Sequence, residues 1–314
     1  MLQKKIIVLG LVCFSVAALF GCNNNGTPKK ISLEKRELAP KRAERQQGHP
    51  LRIAVGGMIT PKEGFIYYRE FIDYIGEKLN RPVEFIDREQ YDEINRLMKS
   101  GRIDVAFVCS GPYVDGHDDF GMELLAAPQA YQKNVYYAYI IVRKNSPVGS
   151  FAALRGRTFA FADPLSNTGK LVPEYMLAKM NETPKTFFQK YIYTYAHDKS
   201  IKAVAEGVVD GASVDSLIWE YTNRINPGLT AKTKIIERSP PYAVPPVAVR
   251  KDLSPALKQE LRAVFLNAHR DERGKELLGN MMIDKFVVID DSAYDSVREM
   301  KSWIARQQKI EKTR

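Results

Sequence analysis

The residues best suited to chemistry form a short polar run, Asp163 to Gly169, which reads Asp-Pro-Leu-Ser-Asn-Thr-Gly. It follows a predicted strand over residues 159–162 and precedes a predicted helix. The first N–H groups of a helix have no partner within the helix, and the helix dipole places partial positive charge there. Ser166 and Thr168 add hydroxyl donors. The run is therefore typical of an anion-binding site, although ordinary helix capping by the same residue types is an open alternative.

Three further polar residues come directly after predicted strands: His197, Asp215 and Ser110. Ligands of open α/β sheets bind at the carboxyl ends of the strands. These three side chains are therefore candidates for the same cleft. A histidine that is only structurally hydrogen-bonded is an equal alternative for His197.

The sequence contains no complete catalytic set. It has no GxSxG, Walker A or HExxH pattern. A triad can be drawn from Ser166, His197 and Asp215, but no nucleophile elbow supports it. Of the three cysteines, Cys13 and Cys22 lie near the start of the chain and Cys109 stands alone in the remainder, so no cysteine metal cluster is expected. We expect no enzyme activity, no metal and no cofactor.

The first residues of the chain have the features of a bacterial lipoprotein signal. Two lysines precede an apolar run, Ile6 to Phe20, which is too short for a comfortable transmembrane helix. The run ends in Gly21-Cys22, which resembles a lipobox. Residues 1–21 are thus a predicted signal peptide and Cys22 a predicted lipidation site. The alternatives are a simple cleaved signal and an anchor helix in which the cysteine has no role.

The net charge of the 314-residue chain is +10, and most of it lies near the start. Residues 1–21 carry +2 and residues 22–52 carry +5, which leaves +3 for residues 53–314. The nearly balanced remainder argues against nucleic-acid binding. Residues 22–50 are polar and charged with little apolar periodicity, so we predict a flexible tether there.

The rest of the chain alternates strands with helices, beginning with a βαβαβ pattern over residues 51–108. This order predicts the α/β class with doubly wound sheets. The simplest arrangement has two lobes. Residues 51–141 plus 243–314 form the first lobe, and residues 142–242 form the second. Two crossing strands, near residues 140 and 243, then act as a hinge.

Several stretches of the chain resemble the phosphate, phosphite and phosphonate substrate-binding proteins of ABC transporters. The resemblance covers about residues 51–285 and implies the two-lobed type II periplasmic binding protein fold. The stretches that carry it are Ile103-Asp104-Val105-Ala106-Phe107, Tyr136, Asn145-Ser146-Pro147-Val148, Asp163-Pro164-x-Ser166-x-x-Gly169-x-Leu171-Val172-Pro173, His197-Asp198, Gly207-x-x-Asp210 and Ser239-Pro240-Pro241.

The resemblance also implies which residues bind the ligand. In the family a Ser-Thr-Ser run grips the phosphoryl oxygens, and here Asn167 replaces the central threonine. The aminoalkyl-phosphonate binders carry an aromatic residue near position 108, where this chain has Val108, so the ligand stays open. The implied pocket residues are Ser166, Asn167, Thr168 and Gly169 in the second lobe, with Tyr136, His197, Ser110, Asp215, Thr60 and Tyr67 around them.

The sequence thus predicts a lipid-anchored solute-binding protein on the periplasmic side of the cell envelope. It would capture a small phosphorus oxyanion (phosphonate, phosphite or phosphate) for an ABC permease and ATPase. One alternative is a sensory lipoprotein that signals to a membrane kinase or cyclase. Another is a binder of a sulfonate or a small organic ligand.

Overall fold

The structure is a computed structural model that describes residues 49–56 and 61–313. The predicted signal peptide, Cys22, the tether up to residue 48 and Thr60 lie outside the described residues. Within the described part, no helix is long and apolar enough to cross a membrane.

The described chain alternates between strands and helices. In chain order the strands are β1 (Leu51–Val55), β2 (Val83–Asp87), β3 (Val105–Phe107), β4 (Glu123–Gln129), β5 (Val135–Tyr136), β6 (Ala138–Arg143), β7 (Thr158–Phe161), β8 (Lys190–Tyr193), β9 (Gly211–Asp215), β10 (Thr233–Arg238), β11 (Tyr242–Ala243), β12 (Val247–Val249) and β13 (Lys285–Val287). The α-helices are α1 (Pro61–Lys78), α2 (Tyr91–Lys99), α3 (Ser110–Phe120), α4 (Val172–Lys179), α5 (Pro184–Phe187), α6 (His197–Ala205), α7 (Ser216–Ile225), α8 (Pro227–Thr230), α9 (Pro255–Asn267), α10 (Glu272–Asn280) and α11 (Asp295–Thr313).

The first sheet has the strand order β13-β4-β12-β3-β1-β2. Strands β2, β1 and β3 are parallel, as the βαβαβ pattern predicts, and β12, β4 and β13 add antiparallel partners. Helix α1 packs on this sheet because Tyr68, Phe71, Ile72 and Ile75 recur at helical spacing and are all buried. The carboxyl ends of β1 and β3 therefore face the same edge of the sheet.

The second sheet has the order β10-β6-β9-β7-β8. The strand predicted near residues 135–142 is interrupted at Tyr137. Its first part, β5, pairs with β11, and its second part, β6, lies between β9 and β10. The predicted boundary between residues 141 and 142 therefore falls inside a strand of the second sheet. The change of sheet occurs earlier, between β5 and β6.

Two of the predicted site residues, Ser110 and His197, are the first residues of helices α3 and α6. Helix α3 begins directly after Cys109. Helix propensity does not predict this helix, because glycine and proline are poor helix formers and it contains Gly111, Pro112 and Gly116. Helix α6 begins at His197 after Ala196, so Asp198 lies in its first turn.

Candidate functional site

The predicted anion-binding run lies at the start of the helical segment that continues into α4. Residues 167–171 form a π-helical turn, and Ser166 caps it by accepting a hydrogen bond from the Gly169 main-chain N–H at 3.0 Å. Ser166, Asn167 and Thr168 are fully buried. Helix capping, the alternative to anion binding that the sequence left open, is therefore present in this segment. The capping residue and the two residues after it are also buried.

The start of α3, the helix that follows strand β3 of the first sheet, packs against this turn. The amide Nδ2 of Asn167 donates to the Tyr136 hydroxyl at 3.0 Å, and the main-chain N–H of Asn167 donates toward the Cys109 sulfur. A Cβ atom added to Gly111 would stand 2.2 Å from the Leu165 carbonyl oxygen. Four of the predicted pocket residues, namely Ser166, Asn167, Tyr136 and Ser110, are therefore brought together here.

A chain of hydrogen bonds sets the orientation of the Asn167 amide. The Ser110 hydroxyl donates to the Ala243 carbonyl at 2.8 Å and accepts from the Tyr136 hydroxyl at 3.1 Å. Because the tyrosine proton is used in this way, Tyr136 accepts from Asn167, which must present its nitrogen. The Asn167 Oδ1 atom therefore does not contact Tyr136.

Two buried atoms of the run have no hydrogen-bond partner among the described residues: Asn167 Oδ1 and Thr168 Oγ1. A buried polar group without a partner costs about 1–3 kcal/mol. Such atoms in one turn are suited to a ligand that supplies the missing partners. Oγ1 can donate or accept, whereas Oδ1 can only accept.

Ser166, His197 and Asp215 are neighbours, but they do not form a charge-relay triad. The His197 Nδ1 atom accepts the main-chain N–H of Asp215 at 3.0 Å, so the neutral ring carries its proton on Nε2. Nε2 lies 3.5 Å from Ser166 Oγ and cannot take the serine proton in this tautomer. The Asp215 carboxylate instead caps α7 by accepting from Leu217 N–H at 2.7 Å.

Burial shifts the ionisation of both groups. It lowers the pKa of His197 to about 3, because the imidazolium ion loses its hydration. It raises the pKa of Asp215 to about 7, although hydrogen bonds from the main-chain N–H groups of Leu217 and Ile218 oppose the shift. At neutral pH His197 is therefore an uncharged donor, and Asp215 is close to its titration point.

These two shifts predict opposite pH dependences of stability. Between about pH 3 and 6.5 His197 is neutral in the fold but protonated in the unfolded chain, so it makes stability rise with pH. Between about pH 3.8 and 7 Asp215 is protonated only in the fold, so it makes stability fall as pH rises. Each slope approaches about 1.4 kcal/mol per pH unit.

The two slopes largely cancel in the wild type between pH 4 and 6.5. As pH rises through this range, the free energy of unfolding of His197→Gln should decrease relative to that of the wild type. The free energy of unfolding of Asp215→Asn should increase relative to that of the wild type. Urea titrations at several pH values measure both. Profiles that run parallel to wild type in both variants would contradict the assignment.

Sequence reasoning missed three buried residues near Asp215, namely Tyr68, Tyr91 and Cys109. Interaction with the Asp215 charge adds to burial in raising the pKa of each. The predicted Tyr67 is half-buried and packs edge-on against Tyr221, with ring centroids 6.2 Å apart. Extending the apolar stripe of α1 back by one turn from Ile72 would have identified Tyr68.

The described residues contain no group of three or more histidine, cysteine, aspartate or glutamate side chains that could hold a metal ion. The polar groups of residues 166–169 and of their neighbours Tyr136 and Ser110 are hydroxyls, amides and main-chain N–H groups. Their chemistry is suited to holding an oxyanion by hydrogen bonds.

Two α/β sheets, linked by the paired strands β5 and β11 and meeting around a buried polar turn, define a type II periplasmic binding protein. Residues 59–294 match the family model described as ABC transporter, phosphonate, periplasmic substrate-binding protein. The chain belongs to this family, and the predicted fold class and family are confirmed.

Individual relatives are distant in sequence. The phosphonates-binding periplasmic protein of Escherichia coli K12 is 23% identical over 268 residues, which cover 84% of this chain and 79% of that protein. A binding protein component of an ABC phosphonate transporter from Pseudomonas aeruginosa is similar in structure, with a TM-score of 0.78 and 23% identity, covering 82% of this chain and 88% of that one.

A further solved structure with the same fold is that of PhnD1 from Prochlorococcus marinus MIT 9301 in complex with methylphosphonate. Its TM-score is 0.75 at 19% identity, and the match covers 81% of this chain and 98% of that chain.

Proposed function

We propose that this protein is a lipid-anchored binding protein that captures a small phosphorus oxyanion at Ser166, Asn167, Thr168 and Gly169 and delivers it to an ABC permease and ATPase. The observation that carries the proposal is the fully buried turn in which Thr168 Oγ1 has no hydrogen-bond partner within residues 49–56 and 61–313. The family match supports the transport role.

The ligand oxygens would be held by neutral donors. Ser166 Oγ already accepts from Gly169 N–H and faces His197 Nε2–H, so its own hydroxyl proton is free to donate. Thr168 Oγ1 supplies a second hydroxyl donor. Neutral donors suffice because exclusion of water between closed lobes strengthens each hydrogen bond.

Asn167 supports a further distinction between ligands. Its Oδ1 atom is a buried acceptor, which a fully deprotonated anion cannot satisfy. A phosphonate, phosphite or phosphate that keeps one proton offers an O–H donor to this atom. Sulfate and sulfonates carry no such proton at neutral pH, so the proposal favours phosphorus oxyanions over them.

A calorimetric titration and a thermal-shift series of the purified protein test the ligand class. The panel is phosphate, phosphite, methylphosphonate, 2-aminoethylphosphonate, sulfate and taurine. A ligand at about 100 times its dissociation constant should stabilise the protein by about 2.7 kcal/mol. At least one phosphorus compound should raise the melting temperature, with sulfate and taurine inactive. Binding of a sulfur compound alone, or of none of the panel, would refute the proposal.

The lipid anchor rests on the Gly21-Cys22 pattern and needs its own test. Cells fed a labelled fatty acid should label the wild-type protein, and the protein should sediment with membranes. The variant Cys22→Ser should lose the label. Cys109→Ser is the matched control. The Cys109 thiol is buried in the fold and is not expected to be lipidated, so this variant should keep the label. A labelled Cys22→Ser protein would refute lipidation at that position.

A further inference from the structure

Asp163 lies at the start of the polar turn, two residues after strand β7, and only 2% of its surface is exposed. Its Oδ1 atom accepts the main-chain N–H of Leu165 at 2.7 Å. Its carbonyl oxygen accepts the main-chain N–H of Ser166 at 3.0 Å. Asp163 therefore fixes the backbone that leads into the proposed ligand-binding residues, although it is not one of them.

The second carboxylate oxygen of Asp163 contacts the first lobe. Oδ2 accepts the main-chain N–H of Tyr91 at 3.3 Å, across 72 positions of the chain. Tyr91 is the first residue of α2, and the preceding Gln90 makes no side-chain capping hydrogen bond. The first N–H groups of a helix have no partner within the helix, and the helix dipole favours a negative charge there. Asp163 thus supplies from the second lobe the acceptor that Gln90 does not.

The first lobe presents two helices to this segment as one unit. Asn95 Nδ2 in α2 donates to the Pro112 carbonyl in α3 at 2.8 Å, which ties α2 to the first turn of α3. Gly111 of α3 packs so closely that an added Cβ would stand 2.2 Å from the Leu165 carbonyl oxygen. Because α2 and α3 are tied together, contact of α3 with Leu165 also brings α2 to Asp163.

Hydrogen bonds from both lobes compensate the burial of this carboxylate. Burial raises the pKa of Asp163, the N–H groups of Leu165 and Tyr91 oppose that shift, and the charge of Asp92 adds to it. A hydrogen bond to a charged group contributes more than one between neutral groups, and the exclusion of water strengthens it. The contact between Asp163 and Tyr91 therefore favours the arrangement in which the two lobes meet.

We propose that Asp163 is a positioning residue that couples ligand binding to lobe closure, with Oδ1 holding the ligand turn and Oδ2 capping α2 of the opposite lobe. The inference rests on the proposed function of residues 166–169. A ligand at that turn fixes the backbone of Leu165 and Ser166, which aligns the carboxylate for the Tyr91 N–H. The contact then retains the ligand by opposing reopening. Capture takes place while the lobes are apart, so the contact acts on ligand release.

The isosteric variant Asp163→Asn separates the two contacts. The asparagine Oδ1 atom can still accept from Leu165, whereas the Nδ2 atom is a donor and opposes the Tyr91 N–H. Stopped-flow fluorescence of the full-length protein in detergent measures the rate constants, with methylphosphonate or phosphite, whichever binds the wild type more tightly. Dissociation should accelerate by about 10- to 100-fold, and association should change by less than about threefold.

Asp271→Asn is the matched control, because Asp271 makes the same kind of double contact within the first lobe. Its Oδ1 atom accepts from the Gly274 N–H at the start of α10, and its Oδ2 atom accepts from Lys78 of α1. This variant should keep both wild-type rate constants. Wild-type dissociation in Asp163→Asn would overturn the inference while the proposed function stands. If no compound of the panel binds the wild type, both are wrong.

Amide hydrogen exchange followed by NMR observes the contact itself and needs no variant. In the wild type, saturating ligand should slow exchange of the Tyr91 N–H by about tenfold or more, while amides in the last turn of α2 should change little. In Asp163→Asn at saturating ligand, the Tyr91 N–H should exchange as fast as without ligand. Equal Tyr91 exchange with and without ligand in the wild type would refute the coupling.

Discussion

Replacing both Ser166 and Thr168 by alanine should abolish measurable ligand binding in a protein that still folds. Each hydroxyl is fully buried and is proposed to donate to an anionic oxygen. A hydrogen bond to a charged group contributes about 1.5–3 kcal/mol, so losing two should weaken binding by about 10²- to 10⁴-fold. Calorimetric titration with methylphosphonate or phosphite, whichever binds the wild type more tightly, measures the loss.

The control must separate binding from helix capping, because Ser166 also caps the segment that leads into α4. Loss of a serine cap costs about 0.5–2 kcal/mol of stability. Ser254 caps α9 by accepting from Leu257 N–H and is exposed. Ser254→Ala should show a similar drop in melting temperature with unchanged affinity. A Ser166/Thr168 double variant that binds within tenfold of wild type would refute the site.

Replacing Gly111 by alanine should weaken binding by about 10- to 100-fold by opposing contact between the lobes. The added Cβ would stand 2.2 Å from the Leu165 carbonyl oxygen and 3.2 Å from the Asn167 nitrogen. Both neighbours are main-chain atoms, so a side-chain rotation cannot relieve the overlap. Gly111 lies in α3, where alanine is the better helix former, and the fold of the first lobe should not suffer.

Small-angle scattering with and without ligand, alongside calorimetry, distinguishes failed closure from misfolding. The wild type should become more compact at saturating ligand, whereas Gly111→Ala should remain expanded. Gly279→Ala in α10 is the matched control, since a Cβ there meets nothing within 4 Å. It should bind and compact like the wild type. Normal affinity in Gly111→Ala would show that this contact does not limit closure.

Much of the fold could be predicted because its signals are local. The βαβαβ pattern over residues 51–108 follows from apolar periodicity, and helix α2, from Tyr91 to Lys99, is one of its elements. Helix α3 could not be predicted in this way. Its buried first half is rich in glycine and proline, and it is stabilised by packing between the lobes, which no window of neighbouring residues reports.

The candidate site shows the same division. Residues 166–169 were recognisable because capping groups and the helix that they cap are adjacent in the chain. Tyr67 was expected in the pocket, but Tyr68 is the residue buried near Asp215, since the α1 stripe decides which tyrosine faces inward. The roles proposed for these residues are predictions that the variants above can test.

The sequence by itself determined the α/β class, the family and the polar turn, because each depends on residues close together in the chain. Tertiary structure alone decided how that turn is completed. Tyr136 meets Asn167 across 31 positions and Ser110 meets Ala243 across 133. Burial then set the opposite pKa shifts of His197 and Asp215. Such contacts and shifts depend on which distant segments exclude water together, and that is settled only when the chain has folded.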